Sequence, residues 1–248
     1  MTVIKSPEEV AIMRRAGKIV AAVLQRLREE TKPGIKTSQL DSVAESELKK
    51  YGAKASFKGY RGFPASLCVS VNDEVVHGIP GERRLNDGDL VSLDFGAIVD
   101  GFHGDGAITV GIGEISPKAQ ELLAVTEAAL MVGISAARKG VHLGEISSSI
   151  QNYVETRGFS VVREYSGHGV GRGLHEDPLV PNFGSPGEGS ILQKGMTLAI
   201  EPMVTAGDWR TRVADNRWTV LTADGSLAAH FEHTIAISGG EAEVLTLL

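Results

Sequence analysis

One layout of helices and glycines occurs twice in this chain, 106 residues apart, and it narrows the folds open to it. Ser6-Pro7-Glu8-Glu9 starts the first copy: Ser6 caps, Pro7 suits the first helical position, and Glu9 completes a capping box. Val10, Met13, Ala16, Val20, Val23, Leu24 and Leu27 follow at helical spacing, and Lys32-Pro33-Gly34 ends the run. A second helix is predicted from about Ser38, with Leu40, Val43, Ala44, Leu48 and Tyr51 on one side and Gly52 as its C-cap. Ser116-Pro117 opens the second copy, with Leu122, Leu123, Val125, Thr126, Ala129 and Leu130 along the helix and a stop at Lys139-Gly140. Its partner helix runs from about Gly144 to Arg157 and closes at Gly158. At this offset Gly34 falls on Gly140, Gly52 on Gly158, Leu40 on Ile146 and Leu48 on Val154. Such coincidences within one layout imply a structural duplication, with a period too long for a solenoid.

Strand-like sequence follows each helix pair. The first half offers Ser66–Val71, Leu90–Phe95, Ile98–His103 and Ala107–Ile112; the second offers about Met196–Val204, Arg217–Thr222 and Phe231–Ile237. Each half has an Asp-Gly pair between strands, Asp100-Gly101 and Asp224-Gly225, a strong hairpin signal. Runs of helices before runs of largely antiparallel strands make an α+β fold, not a doubly wound sheet. No low-complexity linker parts the halves, so residues 1–248 read as one domain of two related halves, about 1–112 and 113–248. A ligand site is expected between them.

Composition removes several functions. A chain of 248 residues can bury roughly three quarters of its unfolded surface and needs no staples. Its single cysteine excludes a disulfide framework and a Cys-based zinc finger. With 31 acidic against 25 basic side chains, direct nucleic-acid binding through many phosphates is not expected. The sequence shows no apolar run near the ~20 residues of a membrane helix and no signal-peptide pattern at Met1–Pro7, so a cytoplasmic, membrane-free protein is expected.

The chemistry concentrates in carboxylates and histidines. A two-residue turn at Asp100-Gly101 pairs residues whose numbers sum to 201, so Asp94 faces Ala107 and Asp105 lies diagonally on the same face. Two converging carboxylates repel unless a proton or a cation lies between them; two unrelated surface acids at turn ends are the alternative. Ser166–Pro178 holds His168 and His175 among Gly167, Gly169, Gly171 and Gly173. That spacing fails the dinucleotide pattern G-x-G-x-x-G, and the glycines imply close packing or positive φ. Glu201 and Glu232 each stand inside an otherwise apolar strand, where an ionised group needs a partner such as Arg217 or Arg212, or a metal. Asp94, Asp105, His168, Glu201 and Glu232 together favour a shared cation cluster. So many oxygens suit two bridged divalent ions such as Mn²⁺, Fe²⁺, Co²⁺ or Mg²⁺ better than one tetrahedral zinc. H-E-x-x-H, G-x-S-x-G and the Cys pair of zinc deaminases are absent. His103, His142 and His230 match no motif and are expected at the surface or in satisfied hydrogen bonds; His233, on the strand face opposite Glu232, is expected to be structural.

These motifs, with Val76-His77-Gly78-Ile79-Pro80, Ile200-Glu201-Pro202-Met203 and Phe231-Glu232-His233-Thr234, resemble the type I methionine aminopeptidases along essentially the whole chain. The resemblance implies the pita-bread (creatinase/aminopeptidase) fold, a pseudo-two-fold antiparallel sheet with two helix pairs. His168 and Glu201 are 33 residues apart, which leaves no room for the insertion that marks the type II enzymes. It further implies removal of initiator methionine from nascent proteins, preferably before a small residue, by water activated between two metal ions (Co, Mn, Fe, Zn or Ni). Asp94, Asp105 and Glu232 would hold one ion, and Asp105, His168, Glu201 and Glu232 the other. Glu201 would also shuttle protons, His175 would stabilise the oxyanion, and His77 would contact the scissile amide and help the leaving amine. Tyr60, Phe63, Cys68, Leu174 and Trp218 would line the methionine pocket, although ordinary core packing would also account for Tyr60, Phe63 and Trp218. Phe63 stands where a Tyr is common in bacterial relatives and Leu174 where a Phe is common; both remain apolar. Nascent N-termini as partners, transient ribosome contact and a monomeric state belong to the same resemblance. An X-Pro peptidase and a non-catalytic binding module of the same fold are the alternatives.

Overall fold

The computed structural model of the chain describes residues 2–248. The four expected helices are present: α1 (Pro7–Glu30), α2 (Thr37–Tyr51), α3 (Pro117–Ala136) and α4 (Gly144–Glu155). Ser6 and Glu9 form the capping box of α1, and Gly52 ends α2 in the left-handed conformation at φ 63°. Ser116 caps α3 by accepting from the Ala119 N–H. Both second-half helices stop short of the expected glycines, α3 at Ala136 before Lys139-Gly140 and α4 at Glu155 before Gly158.

Fifteen strands accompany them among the described residues. In the first half these are β1 (Lys54–Ala55), β2 (Leu67–Val71), β3 (Glu74–Val76), β4 (Leu90–Val99) and β5 (Phe102–Gly111). In the second half they are β6 (Ser160–Val161), β7 (Ser166–Gly169), β8 (Glu176–Pro181), β9 (Thr197–Ile200), β10 (Met203–Thr205), β11 (Thr211–Val213), β12 (Val220–Thr222), β13 (Ala228–His230), β14 (Glu232–Ala236) and β15 (Glu243–Val244). Every named pairing is antiparallel, as expected of the α+β class. The main sheet runs β1-β4-β5-β14-β9-β7-β8, with β2 on β4 and β15 on β14. First-half strands thus fill one side and second-half strands the other, and β5 meets β14 at the join. Helix α1 packs on the first side through Val20, Val23, Leu24 and Leu27, and α3 and α4 cover the second through Leu122, Ala129, Ile146 and Ile150.

Three expectations are corrected. Ile98–His103 is not a strand of its own: β4 and β5 are ten residues each and turn at Asp100-Gly101, with Asp94 opposite Ala107 and Val99 opposite Phe102. Asp224-Gly225 does turn the chain, closed by Thr222 Oγ1 to Ser226 O at 2.9 Å, but makes no hairpin. β12 pairs with β3 and β11, whereas β13 pairs with β10, so the turn passes the chain between two small sheets. Met196–Val204 is broken at Glu201-Pro202 into β9 and β10, because proline has no N–H to continue a ladder.

Helix α3 also departs from the reading that no segment is apolar enough to cross a membrane. Pro117–Ala136 qualifies by length and composition alone. Here it is a core helix, with Ala119, Leu122, Val125, Ala129, Leu130 and Ile134 buried.

Candidate metal centre

Strand alternation puts the acidic residues on one face. Asp94 on β4 is paired with Ala107 on β5, and Ala107 with Glu232 on β14. One step beyond the His233–Ile200 pair lies Glu201, at the end of β9. Asp105 is two residues from Ala107, and His168 on β7 is paired with Ala199, two residues from Glu201. Separations of two keep side chains on the same face. Five adjacent strands, β4-β5-β14-β9-β7, therefore each present one candidate ligand across the join between the halves.

Glycines hold the opposite face close to its helix. A Cβ at Gly104 would lie 2.8 Å from Gly17 N of α1, and one at Gly106 would lie 3.2 Å from Val20 Cγ1. Asp105 sits between them and points the other way. The glycines of the 167–173 loop also serve close approach: none has positive φ, and a Cβ at Gly167 would meet Ala199 O at 2.4 Å.

Two further hydroxyls lock the join. Thr234 Oγ1 accepts from Asp105 N at 2.9 Å and donates to Asp105 O at 2.8 Å. Thr109 Oγ1 makes the same pair of bonds with His230, accepting from N at 2.9 Å and donating to O at 2.7 Å. The reciprocal contacts relate Thr109 to Thr234 and Asp105 to His230 by a local two-fold.

The ligand atoms of Asp105, His168 and Glu232 lie within 4.8 Å of one another, and all three residues are buried. His168 Nε2 is 3.4 Å from Glu201 Oε1 and 4.0 Å from Asp105 Oδ2. Asp94 Oδ1 and Glu232 Oε1 are buried without a hydrogen-bond partner. Among the described residues Glu201 pairs with His168 and His230, and with no arginine within 4.0 Å. Burial pushes the Asp94 carboxyl up to about 7. Burial, then the charge of Asp94, raises Asp105 well above the carboxylate range. Burial and the neighbouring acids do the same to Glu201 and Glu232. His168 is lowered by burial to about 4 and is neutral at pH 7, the form that ligates metal. Orphaned carboxylate oxygens around a neutral imidazole fit divalent cations, which relieve both the repulsion and the lost hydration.

The cluster floors a cavity of about 470 Å³. Tyr60, Phe63, Cys68, Leu174 and Trp218 all line it, beside Phe57. Phe63 meets Trp218 edge to face at 5.2 Å between centroids. His77 stands over this end at φ 60°, a left-handed backbone that is rare outside glycine and asparagine. Its ring is 6.0 Å from Tyr165 and 6.5 Å from Trp218. His175 comes from the 170–175 loop, its ring 4.2 Å from that of His168. Burial, then His168, lowers His175 to about 3, so its ring is neutral. Its Nδ1 is 3.0 Å from the Tyr60 hydroxyl. With that hydroxyl donating to Nδ1, the ring's one N–H is on Nε2.

The chain matches the model of Metallopeptidase family M24 over residues 11–239. It belongs to this family. The M24 chain is 52% identical over 248 residues to the methionine aminopeptidase of Clostridium perfringens, covering 100% of both. It is 53% identical to methionine aminopeptidase 1 of Bacillus subtilis, covering 99% of each. The crystal structure of the Thermotoga maritima methionine aminopeptidase superposes with a TM-score of 0.99 at 48% identity, covering 100% of each chain. A prolidase from Pyrococcus furiosus shares the fold at a TM-score of 0.81 and 23% identity, but this chain covers only 66% of it. The fold is the pita-bread fold that the motifs led us to expect.

Part of the candidate site lies outside the motifs. His103 and His142 are satisfied as expected, by Ser56 Oγ at 2.9 Å and Gly189 O at 3.0 Å, and His233 by Thr246 Oγ1 at 2.8 Å. His230 is not: it is 1% exposed, both ring nitrogens lack partners, and Nε2 lies 3.7 Å from Glu201 Oε2. His230 ends β13, two residues before Glu232 opens β14, and no motif in the sequence marks it. Arg61, Glu164, Tyr165, Leu179 and Met203 also line the cavity without having been singled out.

Proposed function

We propose that this M24 metallopeptidase is a methionine aminopeptidase that removes initiator methionine from nascent polypeptides, preferably when the next residue is small. The observation that carries the reading is the union of five candidate ligands, on or just beyond neighbouring strands, with an apolar and aromatic cavity directly above them. A volume of about 470 Å³ accommodates a methionine and a short residue after it.

Asp94, Asp105 and Glu232 would hold one divalent ion, and Asp105, His168, Glu201 and Glu232 a second, with the choice among Co, Mn, Fe, Zn and Ni left to supply. Such ions supply Lewis-acid polarisation of the scissile carbonyl and a water acidic enough to ionise near neutral pH. The protein supplies the rest. Tyr60, Phe63, Cys68, Leu174 and Trp218 take the methionine side chain, and the carboxylates hold the free α-amino group, which restricts cleavage to the terminal residue. The His175 Nε2–H donates to the carbonyl oxygen as negative charge develops there. Glu201, beside His168 at the edge of the cluster, takes the proton that the attacking water gives up and passes it to the leaving amine. His77 hydrogen-bonds the scissile amide.

The same reading makes residues 1–248 one catalytic unit of two related halves, 1–112 and 113–248. The proposal extends to a monomeric, cytoplasmic enzyme in transient contact with the ribosome. Turnover of Met-Ala-Ser against Ala-Pro-Phe under Mn²⁺ tests the assignment. Release of methionine from Met-Ala-Ser is expected, with little cleavage of Ala-Pro-Phe. The reverse preference would make this an X-Pro peptidase, and no turnover of either would make it a binding module.

A further inference from the structure

Lys5 is almost wholly buried, its side chain 2% exposed, although it precedes α1 in a short N-terminal strap. Lysine is rarely buried without a partner, and an ion pair taken from water gains little stability over apolar packing. The contacts show what this pair holds. Lys5 Nζ donates to Glu176 Oε2 at 2.6 Å and to Val3 O at 3.2 Å. The other carboxylate oxygen, Glu176 Oε1, accepts from Gly173 N at 2.9 Å. The Gly173 carbonyl in turn accepts from Gly171 N at 3.0 Å, and the Gly171 carbonyl from His103 N at 2.8 Å, which ties the loop to β5. At its other side the strap is fixed by Lys5 N–H to Gly195 O at 2.8 Å.

Glycine at 171 is what admits the pair. A Cβ there would lie 2.5 Å from Lys5 Cε and 2.7 Å from Glu176 Oε1. The clamped segment, 171–176, carries Leu174 in the pocket wall and His175 beside His168. Among the described residues, Tyr60 is the one side chain hydrogen-bonded to the His175 ring.

We infer that Lys5 is a positioning residue, which acts through the Glu176 carboxylate to hold the 171–175 loop so that His175 and Leu174 meet the substrate. This rests on the role proposed above for His175. The N-terminal strap is thereby part of the active-site scaffold, although no strap atom need touch substrate.

Two measurements on the metal-loaded full chain test this, with Lys5→Met keeping the apolar stem. The first needs no substrate. Amide exchange at Gly173 should quicken at least 10-fold in Lys5→Met, while exchange in β5 and β14 stays as in the parent. Unchanged protection at Gly173 would overturn the inference, and faster exchange throughout the sheet would make Lys5 a general stabilising residue instead. The second is a cycle with His175→Ala on Met-Ala-Ser. Lys5→Met alone should lower kcat about 10-fold or more, the scale expected for a misplaced group. Added to His175→Ala it should cost little further, because both act at one contact. Full additivity would overturn the coupling to His175. If the parent does not cleave Met-Ala-Ser, the proposed function fails while the exchange result still decides the clamp.

Discussion

Asp94, Asp105, Glu201 and Glu232 owe their properties to a sheet that removes them from water and, among the described residues, pairs them with neutral histidines and with no lysine or arginine. That part of the site was legible, because a carboxylate inside an apolar strand needs a partner and a separation of two residues fixes its face. His230 was not legible, since a single histidine in the apolar Ala228–Phe231 run resembles any buried one until its neighbour Glu201 is known. His175 is the residue where geometry and chemistry separate most cleanly. It is neutral, held by Tyr60, and stands beside the ligand cluster with no competing buried carboxylate of its own. His175→Ala should therefore lower kcat on Met-Ala-Ser by about 10²-fold, as does loss of an oxyanion donor. Metal content per chain should remain that of the parent, as measured by atomic emission. An unchanged kcat would remove His175 from the chemistry, whereas lost metal would make it a ligand.

At the scale of elements, the legible features were those with long local patterns. The β4–β5 hairpin follows from Asp100-Gly101, and its register brings Asp105 beside Asp94 as the arithmetic requires. The same dipeptide at Asp224-Gly225 misled because turn chemistry fixes a reversal but not which strands pair afterwards; β12 and β13 find different neighbours. Two-residue strands such as β1, β6 and β15 are too short to show any periodicity. Packing of α1 against β5 was also hidden, since it depends on two glycines 87 residues apart in sequence, Gly17 and Gly104. Gly104→Ala should test that contact. Its Cβ would sit 2.8 Å from backbone Gly17 N, which cannot rotate away. Moving the helix should cost about 1–3 kcal/mol, the usual range for overpacking, and lower Tm by several degrees in thermal unfolding. Gly240→Ala, where an added Cβ meets nothing within 4 Å, should leave Tm unchanged. Equal Tm values for both variants would mean that α1 is not seated on β5 as described.

For the whole molecule, the join of the two halves is also where protons and metal compete. The duplicated helix pairs made the two-half α+β plan legible, but the small sheets beyond β14 and β9 came only with tertiary pairing. The charge on the join has a consequence for stability. The four candidate ligand carboxyls are raised in the folded protein, so without metal it holds protons there that the unfolded chain has released above about pH 4. For each group, that favourable contribution is complete below the unfolded value and is lost as pH climbs through the folded one, about 7 for Asp94. Metal must displace those protons, so its stabilising effect should grow over the same window. The histidines do not oppose the effect of metal, since His168, His175 and His230 are lowered to about 4, 3 and 3 and are neutral in the folded protein above pH 5, with metal or without it. The rise in Tm on adding Mn²⁺ to EDTA-stripped protein should therefore increase steadily from pH 5 to pH 8. Calorimetry in buffers of different ionisation enthalpy should show protons released on binding. Asp94→Asn removes one competing proton and should make the increase shallower, with fewer protons released. A rise in Tm that is the same at pH 5 and pH 8 would show that these carboxylates are already ionised before metal arrives, and that something other than a cation balances their charge.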